Sequence, residues 1–275
     1  MNLKVALIGC GAIGTVLAKA IDNKKVGKVK LALVYDIKPK KCERLVKKLK
    51  AKPKIAKSAL EIYADKTIDL VIEAASQEAV RQYSLSILRS GKDLMVMSVG
   101  AFADEKLLRD VKKIAERKGC KVHIPSGAVL GIDGVKAAEM GGIQEVVLTT
   151  RKTPSALAYS EYLKKRHMAL KGLKRAKVVF DGHARTAVKA FPASVNVAAT
   201  LSLAGIGFDR TRVRVVADPS IKRNVHEVRV RGRSGEFVTQ ANNVPFPESR
   251  RTSYLAALSA IRTLRNLSET VRVGT

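Results

Sequence analysis

Apolar residues follow two rhythms along this chain, and the change between them divides it. Over residues 1–125, short unbroken apolar runs alternate with stretches whose apolar positions recur every three or four residues. Leu3–Ile8, Val29–Tyr35, Asp69–Ala75, Leu94–Ser98 and Lys121–Ile124 are runs of the kind buried on both faces of a parallel sheet. Between them, Ile13, Val16, Leu17 and Ile21 mark one helix, and Cys42, Leu45, Val46 and Leu49 mark a second, running from Pro39 to a stop at Pro53. Ser58-Ala59-Leu60-Glu61 reads as a capping box. Helices over Gln77–Ser90, stopped by Gly91, and over Asp104–Lys118 complete an α/β pattern, a doubly wound parallel sheet with short connections.

From Ser126 the rhythm changes. A glycine-rich helix over Gly131–Gly142 leads to a strand, Glu145–Thr150, and residues 152–176 are basic and read as irregular. Val178–Phe180, Arg212–Ala217, Val225–Val230 and Glu236–Ala241 alternate as strands of a mostly antiparallel sheet. Helices are expected at Ser194–Leu203 and Ser253–Leu267, the second packing back to close the domain. Two domains follow: 1–125, and an α+β domain over 126–275. No internal repeat is visible.

Composition narrows the class. The 275 residues are 46% hydrophobic, and no apolar run approaches the ~18–20 residues of a membrane span, so no membrane partner is expected. Leu7-Ile8-Gly9-Cys10 has the look of a lipoprotein cleavage box. Its unbroken apolar core, Val5–Ile8, falls well short of the ~7–15 residues a leader needs, and a cytoplasmic location is expected. Cys10, Cys42 and Cys120 are odd in number and widely spaced, which suits neither a disulfide framework nor a metal site.

The net charge of +28 comes from separate runs. Residues 38–57 hold ten Lys/Arg against Glu43 alone, 151–185 hold ten against Glu161 and Asp181, and 210–233 hold eight more. These runs fall on different elements, and with aromatics at 4% nothing interleaves them as stacking platforms. They read as a solvated basic surface that attracts small anions, and no nucleic-acid partner is expected.

The candidate chemistry starts at Gly9-Cys10-Gly11-Ala12-Ile13-Gly14. It follows a strand, opens a helix and lies in a βαβ unit, the context that turns a weak motif into a Rossmann dinucleotide site. Gly9 allows the tight turn, Gly11 lets a pyrophosphate approach the backbone, and Gly14 lets helix and strand pack closely. Asp36 ends the second strand 22 residues after Gly14, placed to accept ribose hydroxyls. Its charge favours NAD, whereas Lys38, Lys40 and Lys41 could neutralise the extra phosphate of NADP.

The four histidines differ. His123 precedes an expected buried Ile and reads as structural, and His167 and His183 read as solvated. His226 alternates in phase with Val228 and Val230, so it projects inward while Arg229 and Arg231 face out. Alternation leaves two readings open: a satisfied core histidine or a catalytic one.

Eight ordered blocks then carry a resemblance. They are Gly9–Gly14, Glu73-Ala74-Ala75-Ser76-Gln77, Ser98-Val99-Gly100-Ala101-Phe102-Ala103-Asp104 and Ser126-Gly127-Ala128-Val129-Leu130-Gly131-Ile132-Asp133. Thr149-Thr150-Arg151-Lys152, Phe191-Pro192 through Asn196-Val197-Ala198-Ala199, Asn224-Val225-His226-Glu227 and Thr252-Ser253-Tyr254-Leu255-Ala256-Ala257-Leu258 complete them. In order and spacing the chain resembles the archaeal and bacterial L-aspartate dehydrogenase family from end to end. The 152–176 segment is longer than in the shortest members.

The resemblance implies a dinucleotide domain followed by an α+β domain that forms a homodimer and closes over the cofactor. It implies oxidation of L-aspartate to iminoaspartate with NAD or NADP. Iminoaspartate then hydrolyses to oxaloacetate and ammonia or feeds NAD biosynthesis. The catalytic histidine maps onto His226. Cofactor contacts map onto Gly9, Gly11, Ala12, Ile13, Gly14, Asp36, Ala75, Ser76, Ala128 and Asn196. Arg151, Lys152, Thr252 and Ser253 are candidates for holding the substrate carboxylates. The alternatives are another two-domain reductase of the homoserine dehydrogenase or dihydrodipicolinate reductase type, and a non-enzymatic dinucleotide-sensing or nucleic-acid-associated protein.

Overall fold

The computed structural model of the chain describes residues 3–158, 160–192, 196–246, 249–271 and 273–274, with the backbone alone for 249–252. Two compact units emerge, Met1–Pro125 with Ala257–Arg272, and Ser126–Ala256 with Val273–Thr275.

The first unit contains β1 (Leu3–Ile8), α1 (Ala12–Asp22), β2 (Val29–Tyr35), α2 (Pro39–Lys47), β3 (Lys54–Ile55), α3 (Ala59–Ala64), β4 (Leu70–Glu73), α4 (Gln77–Arg89), β5 (Asp93–Val96), α5 (Glu105–Lys118) and β6 (Val122–His123). Its six strands are all parallel in the order β3-β2-β1-β4-β5-β6. Val5, Ala6 and Leu7 are all buried, as are Leu70, Val71 and Ile72, so helices cover both sheet faces. Strand order reverses between β1 and β4, the switch point where such sheets take their ligands.

Several local expectations are corrected. The second helix ends at Lys47, six residues before Pro53. Asp22 accepts the amides of Lys50 and Ala51 and turns the chain aside, so Pro53 instead precedes the unforeseen edge strand β3. Ser58 is the N-cap of α3, but its hydroxyl makes no capping bond. Glu61 takes the Lys57 amide at 3.0 Å and pairs with Lys54 at 2.9 Å, so the reciprocal box does not form. The strand expected over Asp69–Ala75 ends at Glu73, whose carboxylate takes the amides of Ala75 and Ser76. Beyond β5, Val99–Ala103 forms a 3₁₀ turn, and Ile124 is half-buried rather than buried.

The second unit contains α6 (Ile132–Gly141), β7 (Ile143–Lys152), α7 (Pro154–Leu157), α8 (Glu161–Lys165), β8 (Lys177–His183), α9 (Ala184–Ala190), α10 (Asn196–Ala204), β9 (Arg212–Ala217), β10 (Asn224–Gly232), β11 (Gly235–Asn243), β12 (Pro245–Phe246) and β13 (Ser249–Ser253), and leads into α11 (Tyr254–Asn266). Its five-stranded sheet runs β11-β10-β7-β9-β8, antiparallel except for the β7–β9 pair. The 152–176 stretch is not irregular throughout. It holds α7 and α8 and buries Leu157, Leu163 and Leu170; helices this short carry no legible periodicity. Ser194, the expected start of α10, lies outside the described residues. The C-terminal helix, read from sequence as closing the second domain, adds Ala260 and Leu264 to the core of the first unit beside Leu17, Ile21 and Val29.

Register decides what the second sheet presents. His226 pairs with Thr150 and, on its other side, with Ala241. The pleat therefore places Val146, Leu148, Thr150 and Lys152 on one face with Asn224, His226, Val228, Val230, Ala241 and Asn243. At one end this face is aliphatic, and at the other it is polar, yet both ends are buried. Among the described residues, no helix is long and apolar enough to cross a membrane.

Candidate dinucleotide and substrate sites

In the first unit, the glycine turn leaves the sheet at the switch point. Gly9 has φ +102°, and a side chain there would strike the Ala74 backbone at 2.6 Å. A Cβ on Gly14 would lie 1.9 Å from the Gly9 carbonyl oxygen. Gly11 differs: a Cβ there would meet nothing within 4 Å, so its lack of a side chain keeps open the space over the turn. Gly11 is the N-cap of α1, no side chain caps the helix, and no acid lies in its first turn. The amides of Ala12 and Ile13 begin that turn, so unshielded donors and positive helix potential meet the open space. This cradle fits a pyrophosphate.

Asp36 is fastened to the same turn. Its carboxylate accepts the amides of Cys10 and Lys38, each at 2.9 Å, with the Lys41 ammonium at 3.9 Å. Four lone-pair sites serve two amides, which leaves capacity for hydroxyls. Lys38, Lys40 and Lys41 are exposed around it. Cys10 also brings its sulfur to 3.4 Å from that of Cys42, and burial pushes both thiols up. The odd cysteine count gave no hint that two of the three are neighbours.

Ala75 and Ser76 lie in the loop after β4, whose Ala74 backbone abuts Gly9. Their amides donate to Glu73 at 2.8 and 2.9 Å, and Ser98 adds its amide at 3.0 Å and its hydroxyl at 2.8 Å. Glu73 is fully buried; burial pushes its carboxyl up while these four donors pull it down. Sequence reasoning quoted Glu73 and gave it no role. An acid ending a buried apolar strand was the available signal.

In the second unit, His226 is 3% exposed, and its Nδ1 lies 3.0 Å from the Thr150 hydroxyl. Burial, followed by the Lys152 charge, lowers the ring to about 3, so it is neutral around pH 7. Lys152 is 2% exposed, and burial lowers its ammonium to about 8. Asn224 and Asn243 are buried beside them. The Asn224 amide donates to Ser253 Oγ at 3.5 Å, and the Asn243 amide donates to the Ala128 carbonyl at 3.0 Å. Thr150, Lys152, Asn224, His226, Asn243, Ser253 and Ala128 thus form one constellation.

Other candidates are placed apart. Arg151 is exposed, on the opposite face of β7, and pairs with Asp218 at 3.6 Å. Asn196 is half-buried at the start of α10, and its carbonyl accepts the Thr200 hydroxyl at 3.4 Å. The Thr252 side chain lies outside the described residues. His123 pairs with Asp93 at 3.4 Å, and His167 and His183 are exposed. Among the described residues, no group of three or more His, Cys, Asp or Glu is arranged to hold a metal.

A doubly wound sheet with an open glycine cradle, followed by an α+β unit, defines an NAD(P)-dependent oxidoreductase. Comparison with known proteins narrows this. The model for the homoserine dehydrogenase NAD binding domain matches residues 9–125, and that for the aspartate dehydrogenase C-terminal domain matches 133–267. The L-aspartate dehydrogenase of Methanococcoides burtonii is 46% identical over 99% of this chain and 100% of its own. That of Methanosarcina mazei is 47% identical with the same coverage. A crystal structure of aspartate dehydrogenase from Thermotoga maritima superposes with a TM-score of 0.79 at 29% identity, covering both chains fully. The chain belongs to the L-aspartate dehydrogenase family. Scyllo-inositol dehydrogenase from Lactobacillus casei, at 15% identity, shares the fold with a TM-score of 0.56 over 100% of this chain and 92% of its own.

Proposed function

We propose that this protein oxidises L-aspartate to iminoaspartate, with the buried, neutral His226 as the group that handles the proton. When bound, NAD or NADP accepts the hydride from the substrate α-carbon. The amides at Gly11, Ala12 and Ile13 hold its pyrophosphate, Gly9 and Gly14 shape the turn, and Asp36 accepts ribose hydroxyls. Ala75 and Ser76 hold the adjoining loop, and Ala128 and Asn196 hold the nicotinamide end. NAD is accepted, and the exposed lysines after Asp36 leave NADP open.

Hydride loss requires a neutral amine, so a proton must first leave the substrate ammonium. With Nδ1 engaged by Thr150, the other ring nitrogen of His226 is the one available to take that proton. Once the ring has passed that proton to solvent, the same nitrogen can take one from the water that attacks the iminium carbon, and the carbinolamine so formed collapses to oxaloacetate and ammonia. A consumer of iminoaspartate would divert it into NAD biosynthesis.

The first domain, 1–125, is read as the dinucleotide domain and 126–275 as the catalytic and dimerising one, in a cytoplasmic homodimer. The five-stranded sheet supports the dimer, since Val178 and Val238 on its strands remain half exposed. Static light scattering should give twice 29.8 kDa. Three buried thiols support a reducing compartment. The dispersed charge supports small anionic partners rather than nucleic acid.

The test is absorbance at the reduced nicotinamide band. Aspartate should generate it with NAD or NADP, oxaloacetate plus ammonia should consume it, and homoserine should not substitute. Failure in both directions overturns the reading.

A further inference from the structure

Cys10 and Cys42 are both free thiols of the first unit, one in the glycine turn and the other on α2. Their sulfurs lie 3.4 Å apart, in hydrogen-bonding contact, although 32 positions separate them in the chain. Cys120, the third cysteine, instead turns its thiol to the carbonyls of Leu88 and Lys118, each at 3.7 Å.

Cys10 is fastened to the groups that form the dinucleotide cradle. Its amide donates to Asp36 at 2.9 Å, its thiol reaches the Tyr35 carbonyl at 3.9 Å, and the Gly9 amide donates to that same carbonyl at 2.8 Å. The turn is thus pinned to the end of β2. It has no room to sink, because Gly9 and Gly14 already abut backbone where a Cβ would not fit. Cys42 belongs to α2, which follows Asp36 and brings Lys41 to 3.9 Å from its carboxylate. Drawing the sulfurs from contact into a bond moves α2 and the turn toward each other. The spacing between the Asp36 carboxylate and the amides of Gly11, Ala12 and Ile13 then changes.

We propose that Cys10 and Cys42 form an oxidant-responsive dithiol whose disulfide weakens dinucleotide binding. This rests on the cradle reading of Gly11, Ala12, Ile13 and Asp36 and is independent of the substrate. A peroxide is the oxidant class that fits, because Cys10 is 6% exposed and Cys42 1%, which keeps out larger reagents. The Cys10 sulfur attacks the peroxide O–O bond and becomes a sulfenic acid, with release of one water. The Cys42 sulfur then attacks the sulfenic sulfur. Its hydroxyl leaves with the Cys42 proton as a second water, and the S–S bond closes. The two thiols give up two electrons, and the peroxide is reduced to two waters. Burial pushes both thiols up, so the first step is slow; the second is fast, because the resolving sulfur is already in contact. By linkage, a disulfide that weakens dinucleotide binding is itself disfavoured by bound dinucleotide to the same factor. The occupied protein resists oxidation, and the empty one is held empty.

The test uses the full chain. Wild type is treated with hydrogen peroxide and desalted, intact mass and peptide mapping read the link, and fluorescence titration reads NADH affinity. A Cys10–Cys42 link should form with the loss of two hydrogens. The dissociation constant should rise roughly tenfold or more, the scale of one lost hydrogen bond to a charged group. Dithiothreitol should restore it. Reduced Cys42→Ala should bind NADH within about twofold of reduced wild type and keep that affinity after peroxide. In a dithiothreitol redox buffer, saturating NADH should shift wild type toward the dithiol by the same factor as the loss of affinity.

No link, a link that leaves affinity unchanged, or an equal loss of affinity in peroxide-treated Cys42→Ala overturns the proposal. If Cys42→Ala does not fold, the wild-type cycle of oxidation and dithiothreitol rescue, with its dependence on NADH, decides alone. A reduced wild type that binds no NADH removes the cradle reading and the dithiol with it. Normal NADH binding without aspartate oxidation leaves the dithiol standing.

Discussion

The glycine turn of the first unit and the polar sheet end of the second solve opposite problems. At the turn the work falls to backbone, and side chains are absent so that backbone can approach a ligand. Gly11 leaves space, Gly14 lets α1 press on the Gly9 carbonyl, and the helix amides supply the donors. At the sheet end the work falls to side chains, and Thr150, Lys152, Asn224, His226 and Asn243 are buried at positions where Val or Leu would hold the fold better. The turn therefore tolerates little added volume, whereas the sheet end tolerates apolar replacement.

The sharpest break in that comparison is His226→Ala. Turnover should fall roughly 10²- to 10⁴-fold, the usual share of a positioned acid or base, with dinucleotide affinity nearly kept. Stopped-flow measurement of the hydride step reads the first, and fluorescence titration reads the second. Equal losses in both would mean that the histidine merely holds the fold.

Two of these residues predict the same pH sign, stability rising with pH, in separate windows. Lys152 has a folded value near 8 against an unfolded 10.5, so the folded state carries a penalty below pH 8 that lifts as pH rises to 10.5. That difference is worth about 3 kcal/mol. Lys152→Met should raise Tm at pH 7, and the gain should shrink toward pH 10. His226 is lowered from 6.5 to about 3, so its stabilisation is complete above pH 6.5 and is lost as pH falls toward 3. His226→Asn should flatten acid unfolding in that window, as followed by circular dichroism.

Gly14→Ala probes the other side. Its Cβ would force α1 away from Gly9, costing about 1–3 kcal/mol as overpacking does. Dinucleotide affinity should fall in calorimetry while circular dichroism still reports a folded chain. The smallest effect is expected for Glu73→Gln. The amide cannot serve all four donors, so stability should drop by about 1 kcal/mol, and the Ala75–Ser76 loop should exchange amide hydrogens faster.

Legibility differed between the two regions for the same reason that their chemistry differs. Gly9–Gly14 and Asp36 lie within one βαβ unit, where local pattern dictates position, and the structure brings them together through the Cys10 amide. The inward phase of His226 was legible from alternation with Val228 and Val230. Its partner was not. Thr150 is 76 positions away, and only antiparallel register brings the two side chains to 3.0 Å. Lys152 and Arg151 were equal candidates in the sequence until burial set Lys152 apart from the exposed Arg151. Asn243 was never considered, because nothing local marks an Asn that reaches 115 residues back to the Ala128 carbonyl.

By itself, the sequence determined the alternation of strands and helices, the turn that only glycine can form, and the direction His226 faces. Each depends on sterics within a few residues, and the chain cannot evade them. Tertiary structure alone decided which polar residues share the buried sheet end, how Glu73 staples its loop, and that the C-terminal helix completes the first core. Those outcomes depend on pairing between distant segments, where one residue of register changes every neighbour.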